Sequence, residues 1–464
     1  MPELDGLPIP RRYWSALAIW LALTIAVLDG AIANVALPTI ARELGAAPAQ
    51  SVWVVNGFQL AVVVTLLPLA ALGEMIGYRR VYLAGIVLFT MASLACALAH
   101  SLPVLIAARV VQGLGASGVM SVNGALVRFT YPRRLLGRGV GLNALVVAAA
   151  AACGPTIASG ILALGPWEWL FLVNLPIGVL AFFVARAALP DSPTSGKLDL
   201  TSTLLNVATF GLGFTGIDLL TRGGDPRIGV AELVLAALTG AALIWRSRGQ
   251  AKPLVPIDLL RNKIFTLTVL TSIASFAAQM LAFVSLPFYL QGVLHRSQVD
   301  TGLLMTPWPV ATGIAAAIAG PLSDRFPAAI LSGAGLVVMA LGLTSLTLLP
   351  ADATSLAIGA RMAVCGLGFG FFQSPNNRTM LASAPMERSG AAGGMLATAR
   401  LTGQTIGATL AAISFRFAAN AEQVALGAAA LFAAGAALAS LSRLRSAPES
   451  APTPKPAEPV ADAF

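Results

Sequence analysis

The chain has 464 residues, 57% of them hydrophobic and only 11% charged. A water-soluble globule carries about 25% charged residues, so the apolar excess has to face lipid. A net charge of +9 would suit nucleic acid, but the cations are scattered in short segments between apolar runs, not gathered on one face, and a nucleic-acid partner is excluded on that ground.

A span needs about 20 apolar residues to cross a hydrocarbon core of roughly 30 Å. On that criterion the sequence predicts fourteen helices, at 14–38, 51–73, 81–99, 103–127, 139–163, 167–187, 200–219, 229–246, 265–291, 302–322, 328–349, 354–376, 389–417 and 420–442. Arg11 and Arg12 precede the first with no small-residue cleavage site, which reads as a retained span and not a signal peptide. Gly213, Gly216 and Asp218 dilute the seventh span, and Glu232 opens the eighth. Under this scheme most Lys and Arg residues fall on the side that holds both termini, while only Arg42, Arg222, Arg227, Arg296 and Arg416 fall on the other. That asymmetry predicts a multi-pass protein of the inner (plasma) membrane with both termini cytoplasmic. The segment 443–464, rich in Pro, Ala, Glu and Ser, is expected to be a disordered cytoplasmic tail.

Gly113, Leu114, Gly115, Ser121, Asn123, Pro132, Gly137 and Gly141 recur without a gap as Gly366, Leu367, Gly368, Ser374, Asn376, Pro385, Gly390 and Gly394. Arg109 recurs as Arg361, and Leu72-Gly73-Glu74 resembles Leu322-Ser323-Asp324. The organisation expected is therefore a cytoplasmic N-terminus (1–13), a six-helix half (14–190), two extra central spans (191–250) and a second six-helix half (251–442) running in the same direction. Parallel repeats of this kind bind substrate between the halves near the membrane midplane.

Within the spans, Asp29 is the only acid placed deep in a helix. Burial there disfavours a charged carboxylate, which suits a group that takes up and releases a proton, or one that binds a cationic head; packing against a neighbouring helix is the plainer alternative. Arg109 shares a helical face with Gln112, Gly113 and Ala116 and has to point into the bundle to find partners, either as a coupling residue or by satisfying backbone carbonyls. Arg361 is read as structural. Arg400, Gly403, Gln404 and Gly407 form a second one-faced row, whose counterparts at an offset of 253 are a slender stripe at Val147, Ala150, Ala151 and Gly154, faces that let helices approach closely. Pro155 removes a backbone hydrogen bond and can kink its helix. No Gly-rich loop ends in Gly-Lys-Ser/Thr, and the two histidines, His100 and His295, lie near loops. ATP-driven work, a bound metal and enzymatic catalysis are not expected. Cys96, Cys153 and Cys365 lie in apolar segments without pairing or ligand spacing and are read as inert core residues.

Five segments carry a resemblance: Leu28 to Pro38 (LDGAIANVALP), Gly73 to Arg80 (GEMIGYRR), Ala108 to Gly115 (ARVVQGLG), Gly154-Pro155, and Trp167 to Pro176 (WEWLFLVNLP). Over essentially the whole chain they resemble the major facilitator superfamily, specifically its fourteen-spanner drug:proton antiporters of the EmrB/QacA type. The resemblance implies an all-α membrane fold of two parallel six-helix halves plus two central spans. It further implies proton-coupled efflux of small hydrophobic or cationic compounds, with no cofactor beyond the proton gradient. The partners are then substrate, protons and bilayer, and the expected state is a monomer. It also implies coupling roles for Asp29, Arg109, Gln112 and Arg400 and a close-packing antiport motif at Gly154 and Pro155. Gate residues are expected at Glu74, Gly77, Arg79 and Arg80, mirrored by Asp324 and Arg325, with ordinary loop charges as the alternative reading. Glu74, Met75, Ala158, Ser159 and Glu168 depart from the family pattern. The other reading the fold permits is an exporter or symporter of one endogenous metabolite. A non-transporting sensor would need a sizeable loop or domain, and no loop is long enough.

Overall fold

A computed structural model describes residues 6–132, 135–192, 194, 199–222, 225–248, 250, 258–323, 325–350, 352–384 and 389–446. Among these there is no strand. In a bilayer every backbone polar group must be satisfied within the chain, and the continuous helix does this inside a single segment. The helices are α1 (Arg11–Glu43), α2 (Pro48–Ile76), α3 (Tyr78–Ala97), α4 (Leu102–Thr130), α5 (Leu136–Leu164), α6 (Trp169–Ala188), α7 (Leu200–Arg222) and α8 (Pro226–Ser247), followed by α9 (Lys263–Phe288), α10 (Gln298–Leu322), α11 (Ala328–Thr347), α12 (Ser355–Ala382), α13 (Ser389–Phe417) and α14 (Ala421–Ser442). Thirteen of them are long and apolar enough to cross a membrane. The exception, α13, has 29 residues but is diluted by Arg400, Gln404 and Arg416. Asp324 and the tail 447–464 lie outside the described residues.

The internal repeat is realised as repeated packing. Helix α1 packs on α5 and α6, α2 on α4, and α3 on α4 and α6; eight helices later the same partnerships join α9 to α13 and α14, α10 to α12, and α11 to α12 and α14. The glycines of the repeat explain why. A Cβ on Gly115 would strike the backbone of Phe89 and of Gly85, and one on Gly368 would strike Met339 and Gly335; likewise Gly113 abuts the Phe58 carbonyl and Gly366 that of Trp308. Small residues at these points let backbones approach, which is the main source of helix association where lipid removes the hydrophobic drive. Helices α7 and α8 pack on each other and touch the rest chiefly through α2, where Asn206 Nδ2 donates to the Val64 carbonyl at 2.8 Å and Phe214 meets Trp53 edge-on at 4.9 Å.

The two halves share one hydrophobic core at the end away from the termini, where Leu28, Val35, Val55 and Trp167 join Leu281, Tyr289, Trp308 and Phe369. Toward the termini the cores separate. One belongs to the first half (Ala18, Tyr82, Leu126, Leu189) and another to the second (Leu259, Phe265, Met380, Met395). The largest core that the halves share therefore lies on the far side, and a smaller one joins Leu401 of α13 to Val63 and Leu66 of α2.

Candidate functional site

Asp29, Arg109 and Gln112 converge at mid-depth in the first half, all buried. Arg109 Nη1 donates to Asp29 Oδ2 and to Gln112 Oε1, and its Nε donates to the Val54 carbonyl at 2.9 Å. Asp29 Oδ1 accepts from Gln112 Nε2 at 2.9 Å and from Asn174 Nδ2 at 2.8 Å. Ser93 Oγ, on α3, accepts from Gln112 Nε2 at 2.8 Å. The guanidinium also lies over the Phe58 ring, 4.4 Å from its centroid, and 5.4 Å from that of Phe171. Burial of one charge without the other would be prohibitive at this depth, so the carboxylate and guanidinium stabilise each other's charged state while the amides complete the shell. One carboxylate thereby ties α1 to α4 and α6 directly, and to α2 and α3 through Arg109 and Gln112. Arg109 Nη2 and Asn174 Oδ1 are buried without a partner.

Arg109 thus both satisfies a backbone carbonyl and pairs with the acid. Asn174 and Ser93 were not singled out in the sequence. Asn174 sits inside the WEWLFLVNLP motif, where a polar residue in an apolar run was the available signal; Ser93 carries none, because a lone Ser in a helix most often bonds its own backbone, as it also does here to the Phe89 carbonyl at 2.8 Å. Cys96 lies beside Gln112, with Sγ 3.5 Å from Oε1. Cys153, expected in the core, is exposed on α5.

Arg400 is not part of this cluster. It lies on α13 with its Nε buried, and among the described residues it has no hydrogen-bond or ion-pair partner. The glycines of its row close on α9 as expected, Gly403 against the Ile273 carbonyl and Gly407 against that of Ala277. Gly154 presses on Ala31 of α1, where an added Cβ would stand 2.5 Å from the Ala31 side chain. Ser159, where the family pattern has glycine, is met across the helix pair by Gly302, a position at which any Cβ would collide with the Ser159 hydroxyl; Pro155 lies inside α5 and its carbonyl accepts from that same hydroxyl at 2.9 Å.

Of the residues read as gates, Arg79 makes its contacts within the first half. Gly77 takes φ 103°, a backbone region that glycine enters without a Cβ penalty, and so turns α2 sharply into α3. Arg79 Nη1 then pairs with Asp191 at 2.7 Å and its Nη2 donates to the Arg186 carbonyl at 2.6 Å, while the Tyr78 backbone N–H donates to Ser192 Oγ at 3.0 Å. These contacts fasten the start of α3 to the exit of α6 within one half. Glu74, Arg80 and Arg325 are exposed.

The model of the Major Facilitator Superfamily matches residues 19–408. The chain belongs to that superfamily. A transporter of Escherichia coli K12, YebQ, which is described as uncharacterized, is 51% identical over 95% of this chain and 98% of its own length. The riboflavin transporter RibZ of Clostridioides difficile is 31% identical, covering 84% of this chain and 85% of its own. The multidrug resistance protein Stp of Mycobacterium tuberculosis is 31% identical over 84% of this chain and 73% of its own. Among solved structures, a bacterial homologue of the lysosomal transporter Spinster, in an inward-facing and unoccupied conformation, superposes with a TM-score of 0.67 at 15% identity, covering 96% of this chain and all of that one. That likeness establishes the major facilitator fold. Together with the composition, these relatives make the chain a multi-pass membrane transporter.

Proposed function

We propose that this chain is a secondary transporter of the inner membrane that exports small hydrophobic compounds in exchange for protons. The observation that carries the reading is the buried Asp29 cluster. A proton added to Asp29 would cancel the charge that holds Arg109, Gln112 and Asn174 together, and so loosen α1 from α4 and α6 in one step. A group buried this deep exchanges protons with one side at a time, which is what coupling to alternating access requires. The relatives that are multidrug proteins, Stp and the efflux pump LfrA of Mycolicibacterium smegmatis, favour broad hydrophobic substrates. The cationic arm of the expectation has less to rest on, because Arg109 already occupies the one deeply placed carboxylate.

The riboflavin transporter among the relatives favours a second reading, export or uptake of one polar metabolite. Reconstituted vesicles with an imposed pH gradient separate these readings, using Nile red, ethidium and 1-anilinonaphthalene-8-sulfonate as probes. Gradient-dependent movement of at least one dye, lost in Asp29→Asn, is the expected result. If no dye moves and none releases protons, drug export is wrong; normal transport by Asp29→Asn would remove the coupling role of that residue.

A further inference from the structure

Four polar side chains of α2 and α13 meet the seam between the halves and are not used by the Asp29 cluster. Asn56 is fully buried, yet neither its Oδ1 nor its Nδ2 has a hydrogen-bond partner; the Oε1 of Gln59, a residue 5% exposed, is likewise unpaired. Buried carboxamides without partners are costly and uncommon, so a pair of them one turn apart calls for something that satisfies them. On α13 the guanidinium of Arg400 has no partner among the described residues, and Gln404 follows one turn later on the same side.

Their placement follows from the contacts around them. Gly403 and Gly407 press α13 onto α9, while Ala397 and Leu401 join the core cluster that includes Val63 and Leu66 of α2. At about 100° per residue, Arg400 and Gln404 fall in the wedge between those two contact faces, on the side where the second half meets the first. Helix α2 meets α13 through Leu67 at Gly394, 3.9 Å from where a Cβ would stand, and through Trp53, which shares a pocket with Ala412 and Phe415. Asn56 and Gln59 lie between those two points on the same flank of α2. Because the two helices run antiparallel between those points, Gln59 comes level with Gln404, with Asn56 one turn further toward Trp53 and Arg400 one turn further toward Leu67.

We infer that this seam is the headgroup site for a carboxylate on an amphipathic substrate, a narrowing that rests on the exporter reading above. The guanidinium offers a planar fork that matches the two carboxylate oxygens, and the unpaired Asn56 Nδ2 is a further donor for the same head, while the acceptors Asn56 Oδ1 and Gln59 Oε1 are left for a hydroxyl or amide elsewhere on the substrate. None of these four side chains carries a negative charge for a cation. The deep acid is neutralised by Arg109, so the seam carries an uncompensated positive charge, and an ammonium head there would meet Arg400 unshielded. The rest of a substrate would lie against the apolar residues beside the site, Val63, Leu66 and Leu401.

The test is binding to the purified full chain, read as a thermal-stability shift against three probes of one shape: 1-naphthaleneacetate, 1-naphthaleneacetamide and (1-naphthylmethyl)trimethylammonium. The acetate is expected to bind about tenfold or more tightly than either of the others. Arg400→Gln is expected to abolish that preference, and Arg400→Lys to keep a weakened one. Asn56→Leu with Gln59→Leu should weaken the acetate while leaving the amide nearly unchanged. Arg400→Gln removes an unpaired cation from the bundle, so a monodisperse size-exclusion profile serves as the folding control, with Arg400→Lys as the second variant. The proposal is overturned if the ammonium probe binds as well as the acetate, if Arg400→Gln keeps the anion preference, or if no probe stabilises the wild type at millimolar concentration. Anion binding that depends on Arg400 without proton-driven dye export would leave the site standing and remove the exporter reading; the reverse pair of results would do the opposite.

Discussion

Asp29→Asn is the perturbation that measures how much the buried cluster contributes. The amide nitrogen replaces one carboxylate oxygen, so a donor now faces either Arg109 Nη1 or the amides of Gln112 and Asn174, all of which are donors in the native arrangement. At least one of the three hydrogen bonds to the carboxylate is lost, and Arg109 keeps its charge without an ionic partner, beside the Val54 carbonyl and Gln112. Removing one member of a buried ion pair costs about 3–5 kcal/mol. The retained amide contacts place the expected loss near the lower end of that range. Arg109→Gln should cost a similar amount by leaving the carboxylate unpaired. The double variant Asp29→Asn with Arg109→Gln buries no charge, and its cost should fall below the sum of the singles by about 2–3 kcal/mol. Equilibrium unfolding of the detergent-solubilised protein in mixed micelles gives the four free energies of the cycle. If the singles add to within about 0.5 kcal/mol, the pair is not coupled and the account of the cluster is wrong.

The exposed pair Arg79–Asp191 should behave differently. Asp191 is 84% exposed, and pairs of that kind contribute about 0–1 kcal/mol, so Arg79→Ala is expected to change unfolding little, and a large stability loss in the same assay would contradict this. Gly407→Ala places a methyl group against the Ala277 carbonyl, with no flexible side chain to give way; a loss of about 1–3 kcal/mol in the same unfolding assay is expected, and an unchanged stability would show that α9 and α13 slide apart freely. Arg443 binds Thr268 Oγ1 at 3.0 Å and Asn376 Oδ1 at 3.1 Å, joining α14 to α9 and α12, so Arg443→Ala should lower stability by about 1.5–3 kcal/mol and speed hydrogen exchange in 258–275; unchanged exchange would refute that role. Asp199 gives a pH signature. Burial would raise its proton affinity, but hydrogen bonds from Ser202, Arg246 and Gln250 outweigh that and hold the carboxyl well below the usual carboxylate range. A depressed folded-state value means a contribution that is complete above about pH 4 and is lost as the pH falls through the folded-state value. Protection from hydrogen exchange in the α7–α8 pair, relative to the intrinsic exchange rate at each pH, should therefore fall on acidification below pH 4 in the wild type and change little in Asp199→Asn.

Composition and hydropathy alone determined that the chain lives in a bilayer, since a helix in lipid must be apolar over a fixed length whatever its neighbours. The offsets of 253 and 250 residues fixed the two parallel halves, because the glycines that recur are the ones whose backbones touch, Gly113 and Gly366 above all. Asp29 and Arg109 were legible individually as intramembrane charges. That they pair, and that Asn174 and Ser93 close the shell, depends on which faces of α1, α3, α4 and α6 turn toward one another, and helix rotation is set by contacts far apart in sequence. The same reason separated Arg400 from Asp29, although the sequence grouped them, and turned Arg79 toward Asp191 in its own half. Asn56 and Gln59 were not singled out in the sequence. Only packing against α13 placed them near an unpaired guanidinium, because a residue's depth and facing in a helical bundle belong to the assembly and not to the segment.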